Sequence, residues 1–175
     1  GGRLLRTVPE GALASVRLGN WEAGARAEGI LFDYFVDTAE ASILLLRYAV
    51  VLEAPGHGIT MDPYFKLEIL GEDGKPIGGR CGEFDFSPTN EDIKWNRGTA
   101  AGDGGTTKSY VWKDWSSVGV NLVPYHGQTI QVHLITQDCL ANIHFGYAYF
   151  TLECSHAEIT TESCGDLPYM EMKAP

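Results

Sequence analysis

Side-chain alternation with a period of two runs through most of this chain and restricts its fold more than any other feature. From Tyr64 to Leu70, the residues Phe65, Leu67 and Ile69 fall on one face and Tyr64, Lys66 and Glu68 on the other. Successive strand side chains point to opposite faces, so this pattern predicts a strand with one face buried. Ile30 to Val36 repeats it, with Ile30, Phe32, Tyr34 and Val36 opposed to Leu31, Asp33 and Phe35. Ser42 to Glu53 is apolar on both faces, which predicts a central strand covered on both sides. Val50-Val51 and the flanking Pro55-Gly56 disfavour the competing buried helix. Further strands are expected at Ser15 to Leu18, Ser116 to Leu122, Thr129 to Gln137 and Phe145 to Leu152. Turns are expected at Gly19-Asn20, Gly71-Glu72-Asp73-Gly74 and Pro124-Tyr125-His126-Gly127. Eight or nine strands with no convincing helix predict an all-β fold, an antiparallel β-sandwich.

Composition narrows the function. A hydrophobic share of 44% with 21% charged residues excludes wholesale disorder, and 21 glycines with 8 prolines suit a turn-rich chain. Thirteen basic against 23 acidic residues leave a net charge of −10, with no Lys/Arg cluster to offset it. Such a chain repels phosphate backbones, so nucleic acid is not an expected partner. The longest apolar stretch, Ile43 to Leu52, is broken by Arg47 and is too short for membrane insertion. The 175 residues suit one domain, or one domain plus a fragment of another. Residues 1–154 read as the sandwich, 155–166 as a polar linker and 167–175 as the truncated start of a following domain. The opening Gly1-Gly2 without Met reads as a fragment. Asn96 to Lys108 holds four glycines and no apolar residue larger than Ala, and is expected to be a long exposed loop.

Four cysteines, Cys81, Cys139, Cys154 and Cys164, form no C-x-x-C pair. Their even number fits two disulfides in a secreted protein, and buried thiols in a cytosolic one would look similar.

Trp115 to Ile130 has the form of a jelly-roll hairpin: a tryptophan leading into one strand, a Tyr-x-Gly turn, then a strand opening Thr-Ile. The run from Asp138-Cys139 through His144-Phe145-Gly146-Tyr147-Ala148-Tyr149 to Cys154 is more particular. Together with Ser15–Asn20 and Ala49–His57, it resembles a module of large surface proteins exported by gliding bacteria through the type IX route. Those proteins often carry Ig-like or PKD repeats and a gliding-motility-associated C-terminal domain. The resemblance covers about residues 15–154. It implies a galactose-binding-like jelly roll at the cell surface, extracellular, with Ig-like neighbours in the same chain. It brings no catalytic residues. Jelly rolls of this superfamily often hold a structural Ca²⁺ in an early loop, which implies Asn20 and Glu28 as ligands, with Glu22 between them.

No arrangement of residues points to an enzyme. The chain lacks a G-x-S-x-G elbow, and Glu83-Phe84-Asp85 lacks the third carboxylate of the jelly-roll glucanases. His57 and His144 have no closely spaced partners for zinc. Four tryptophans (Trp21, Trp95, Trp112, Trp115) and eight tyrosines are compatible with sugar stacking, although most are expected to be core or loop anchors.

If Gln137 and Phe145 close a last hairpin, one face of it gathers Ile130, Val132, Leu134 and Thr136 with Gly146, Ala148, Phe150 and Leu152. The reverse face gathers Gln131, His133, Ile135 and Gln137 with Phe145, Tyr147, Tyr149 and Thr151, and Gln131, His133, Tyr147 and Tyr149 give it a mixture of hydrogen-bonding tips and rings suited to a glycan. A solvated sheet face is the plain alternative. In that register Cys139 and Cys154 are too far apart to bridge, which excludes one of the three pairings. Of the two that remain, the ten-residue step from Cys154 to Cys164 makes a local clasp easiest, so Cys81–Cys139 and Cys154–Cys164 are the expected disulfides. The expected function is a non-catalytic extracellular binding or adhesin module recognising carbohydrate or a cell-surface polysaccharide. The alternative is a structural spacer without a ligand.

Overall fold

The structure, a computed structural model, describes residues 5–54, 56, 61–77, 83–90, 93–102, 105–141 and 143–156. Among the described residues nine strands are present: β1 (Val16–Gly19), β2 (Ala27–Phe35), β3 (Ile43–Glu53), β4 (Tyr64–Leu70), β5 (Glu83–Phe86), β6 (Asn96–Ala101), β7 (Thr107–Asn121), β8 (Thr129–Gln137) and β9 (Gly146–Ser155). They form two sheets, one in the order β1-β9-β3-β7-β6 and the other in the order β2-β8-β4-β5. Every pairing is antiparallel, and the two sheets pack as a β-sandwich.

The core lies where alternation places it. Phe65, Leu67 and Ile69 of β4 and Ile130, Val132 and Leu134 of β8 face Leu44, Leu46, Tyr48, Val50 and Leu52 of β3 in one buried cluster. At its centre the Tyr48 and Phe86 rings meet at 4.6 Å and Phe65 stacks on Phe86 at 5.7 Å. Each such aromatic pair adds about 0.5–1.5 kcal/mol beyond the area it buries. β3 is central and covered on both sides, as its two apolar faces predict. On its outer face, residues 5–15 cross part of the sheet. The Arg47 guanidinium donates to the Glu10 carbonyl at 3.1 Å, and Trp115 Nε1 donates to the Arg6 carbonyl at 2.7 Å.

The glycine-rich stretch is a hairpin rather than a loop. β6 pairs with the start of β7 from Asn96↔Trp112 to Ala101↔Thr107. A Cβ on Gly98 would lie 2.8 Å from the Tyr110 ring, so the absence of a side chain there lets the tyrosine lie across the neighbouring strand. The expected linker and following domain fall on residues 157–175, outside the described residues, apart from Ser155 and His156. Among the described residues no helix is long and apolar enough to cross a membrane.

Candidate functional site

β8 and β9 do not form a hairpin. β8 pairs with β2 and β4, whereas β9 pairs with β1 and β3 in the other sheet. The inward sets are those alternation gives, but they meet across the core from opposite sheets instead of sharing one. The outward sets are therefore on opposite faces of the sandwich. Gln131 and His133 lie on one outer face, Tyr147 and Tyr149 on the other, and the four do not make a single site.

The face bearing Gln131 and His133 is a network of mutually satisfied polar groups. Lys66 Nζ lies 2.8 Å from Glu68 Oε1 and 2.7 Å from Glu83 Oε1. Partial burial of Lys66 opposes its charge, but the hydrogen bonds it donates to Glu68 and Glu83 outweigh that and raise its pKa. The hydrogen bond from Lys66 in turn holds the Glu68 carboxyl below its ordinary value. His133 Nδ1 sits 3.2 Å from Glu68 Oε2, Gln131 Nε2 donates to Asp33 Oδ1 at 2.9 Å, and the Tyr64 hydroxyl donates to Gln137 at 2.9 Å. Glu83 is thus committed to Lys66 and does not stand free beside Asp85.

The opposite face is aromatic. Tyr147 of β9 lies directly opposite Val51 of β3, and Val51 lies opposite Trp112 of β7. Tyr149 is opposite Ala49, and Tyr110 is opposite Glu53. Two ridges of rings therefore run beside a floor of small side chains. Phe145 and Tyr147 stack at 5.9 Å, Tyr147 meets Tyr149 edge-on at 5.9 Å, and Tyr110 meets Trp112 at 5.6 Å. The rings cover the floor so well that Ala49 is 0% and Val51 8% exposed, although both point away from the core. The rings themselves are half-buried. Burial raises the Tyr147 phenol pKa, with Tyr149 and Tyr110 adding to the shift and Arg17 opposing it.

Charges frame the aromatic face. Glu53 is buried at its edge, with Lys108 Nζ at 3.4 Å, and the same ammonium sits 5.9 Å from the Phe145 ring centre. At the other edge the Arg17 guanidinium lies 5.3 Å over Trp21, whose side chain is 64% exposed. Of these rings, Trp112 is one of the four tryptophans that the sequence offers for stacking and Phe145 belongs to the outward set of Tyr147 and Tyr149, whereas nothing in the sequence marks Tyr110 individually. Tyr110 and Trp112 do show strand spacing, but the glycines before them read as a loop.

The implied calcium ligands meet at one turn. The Gly19 amide donates to Glu28 Oε2 at 3.0 Å, and in the next residue Asn20 Oδ1 accepts the Glu22 amide at 2.6 Å. Among the described residues no group of three or more His, Cys, Asp or Glu side chains is arranged to hold a metal ion.

Cys139 and Cys154 are free thiols. Each expected disulfide joins one of them to Cys81 or Cys164, which lie outside the described residues, as does His57. Cys139 Sγ is 3.0 Å from His144 Nδ1, within reach of a nucleophile–base pair, but the cysteine is fully buried and offers no approach to a substrate. Cys154 hydrogen-bonds to Tyr34, a contact that pushes that phenol up to about 12. Asp138 anchors the crossing from β8 to β9. Its carboxylate accepts the Gly146 amide at 3.1 Å and the Arg26 amide at 3.3 Å, and its own amide donates to the Arg26 carbonyl.

Compared with known protein families and curated proteins, the chain matches no family model and no curated sequence.

Proposed function

We propose that this chain is a non-catalytic binding module that recognises carbohydrate on the aromatic face of the five-stranded sheet. One observation carries the reading. Tyr147, Tyr149, Phe145, Tyr110 and Trp112 converge on a single outer face, whereas an outer sheet face that only meets water has no need of them. Sugar rings present C–H groups that stack on such surfaces, and Lys108, Arg17 and the tyrosine hydroxyls supply directed polar contacts around it. Gln131 and His133, on the opposite face, are outside this proposed surface.

The wider setting belongs to the same proposal: a jelly-roll module of a large surface protein, extracellular and flanked by Ig-like domains. With β6 set aside as an added edge, the strand orders β1-β9-β3-β7 and β2-β8-β4-β5 are compatible with a jelly-roll winding, which supports this reading. A calcium ion at Asn20 and Glu28 would need most of its six to eight oxygens from backbone carbonyls and water, because these two side chains supply few. A lower melting temperature in EDTA supports that ion, and an unchanged melt removes it.

A glycan array with polysaccharide pull-down tests the function. Retention of the chain on one class of glycan supports the proposal. Retention on none, by a folded protein, leaves the spacer reading in its place.

A further inference from the structure

Among the described residues four strands form the sheet edges, and three of them are short or broken by their composition. β1 and β5 have four residues each, and β6 is a six-residue Asn-Arg-Gly-Thr-Ala-Ala strand. β2 differs. It runs nine residues, Ala-Glu-Gly-Ile-Leu-Phe-Asp-Tyr-Phe, pairs on one side with β8, and carries no Lys, Arg or Pro. Natural sheets guard long edges with such residues because an open edge offers unpaired amides and carbonyls to another strand. Leu31 and Phe35, on its outer side, are 56% and 61% exposed, and Ile30, Phe32 and Tyr34 on its inner side are only partly buried.

We infer that β2 is the interface for a second copy of this chain, the two β2 strands pairing antiparallel about a two-fold axis at Leu31. The sequence of β2 is complementary to itself in that register. Full overlap places Ala27 opposite Phe35, Glu28 opposite Tyr34, Gly29 opposite Asp33, Ile30 opposite Phe32 and Leu31 opposite Leu31. Neither acid meets an acid, and like charges directly opposite each other would destabilise the pair. Outward residues meet outward ones, so both sandwiches keep their cores and the two four-stranded sheets become one. Shifting the axis to Asp33 or Glu28 would set two carboxylates face to face. The net charge of −10 on each copy opposes association at long range, so the dimer tightens as salt rises.

Analytical ultracentrifugation over a range of protein and salt concentrations, combined with two cysteine variants, tests this. At the axis the two residues at position 31 are about 4.5–5.5 Å apart, within disulfide reach. The two residues at position 35 are on the order of 26 Å apart at ~3.3 Å per residue. Leu31→Cys should therefore form a covalent dimer under mild oxidation well above the level of the parent protein, and Phe35→Cys should not. Leu31→Glu, at an exposed position, should lose the dimer and keep the parent's circular dichroism, with a melting temperature that no longer depends on protein concentration. A parent that sediments as a monomer throughout, equal cross-linking at positions 31 and 35, or a dimer that persists in Leu31→Glu overturns the inference.

Discussion

Tyr147 and Trp112 stand on either side of Val51, each directly opposite it on a neighbouring strand of one sheet. A valine in the middle of an outer sheet face is thereby 8% exposed. Residues 5–15 cover the Arg47 and Trp115 part of that face, and these rings cover the Val51 part. The proposed function depends on this relationship.

Glu53 closes one edge of the aromatic face, and its burial makes it dependent on Lys108. Lys108→Met should cost about 1–3 kcal/mol in urea unfolding, because it leaves a buried carboxylate with less compensation. The double change Glu53→Gln with Lys108→Met should recover part of that loss.

Asp138 accepts amides from two segments, Arg26 ahead of β2 and Gly146 at the start of β9. Asp138→Ala should lower stability by roughly 2–4 kcal/mol, since two amides lose a buried charged acceptor. Asp138→Asn should lie between the two, having one acceptor oxygen. Denaturant unfolding with an unchanged m-value would confirm that stability alone has moved.

Gly19 ends β1 at φ +74°, and a Cβ there would lie 2.3 Å from the Gly146 carbonyl oxygen and 2.8 Å from Thr136 Oγ1. Gly19→Ala combines a left-handed backbone with a backbone clash and should cost at least about 2 kcal/mol in thermal or denaturant unfolding. Gly74, with φ +71° and open space around its Cβ position, should lose only about 1 kcal/mol on the same change.

The Lys66–Glu68–His133 network predicts the sign of an acid effect. The Glu68 carboxyl is held below its ordinary value of 4.5, so its contribution is present above that value and is lost as pH falls through the depressed one. Lys66 is raised above its ordinary 10.5, so its contribution is present below that pH and is lost as pH rises through the higher value. Lys66→Met should flatten the acid limb of the stability curve, measured as melting temperature between neutral pH and about pH 3.

Alternation along the chain identifies which residues of Thr129–Gln137 and Gly146–Ser155 point inward, because burial of one face is a local property of each strand. It does not say which sheet a strand joins. The 138–145 connection can close a hairpin or cross to the opposite sheet about 10 Å away with the same inward residues. Here Asp138 binds both Arg26 and Gly146 and fixes the crossing, an arrangement between residues 112 positions apart that no local pattern displays. Crossing splits the expected ligand face and joins Tyr147 and Tyr149 to Tyr110 and Trp112 instead. It also sets Cys139 and Cys154 at opposite ends of the sandwich. Cys154 is opposite Leu44, and Gly146, held by Asp138, is opposite Leu52. The placement of Tyr110 and Trp112 beside β9 is masked by composition: glycine is uncommon in strands, so the stretch before them reads as a loop, and at Gly98 it is there to admit the Tyr110 ring.

The most direct measurement is the affinity of the Tyr147→Ala/Trp112→Ala double variant for whichever polysaccharide class the parent retains, read by affinity electrophoresis or calorimetry. Removing both rings from the centre of a stacking surface should weaken binding by about tenfold or more, in a protein whose circular dichroism is unchanged. His133→Ala, on the opposite face, should leave binding at the parent level. Equal affinity of the double variant and the parent, or loss of binding in His133→Ala alone, would contradict recognition at the aromatic face.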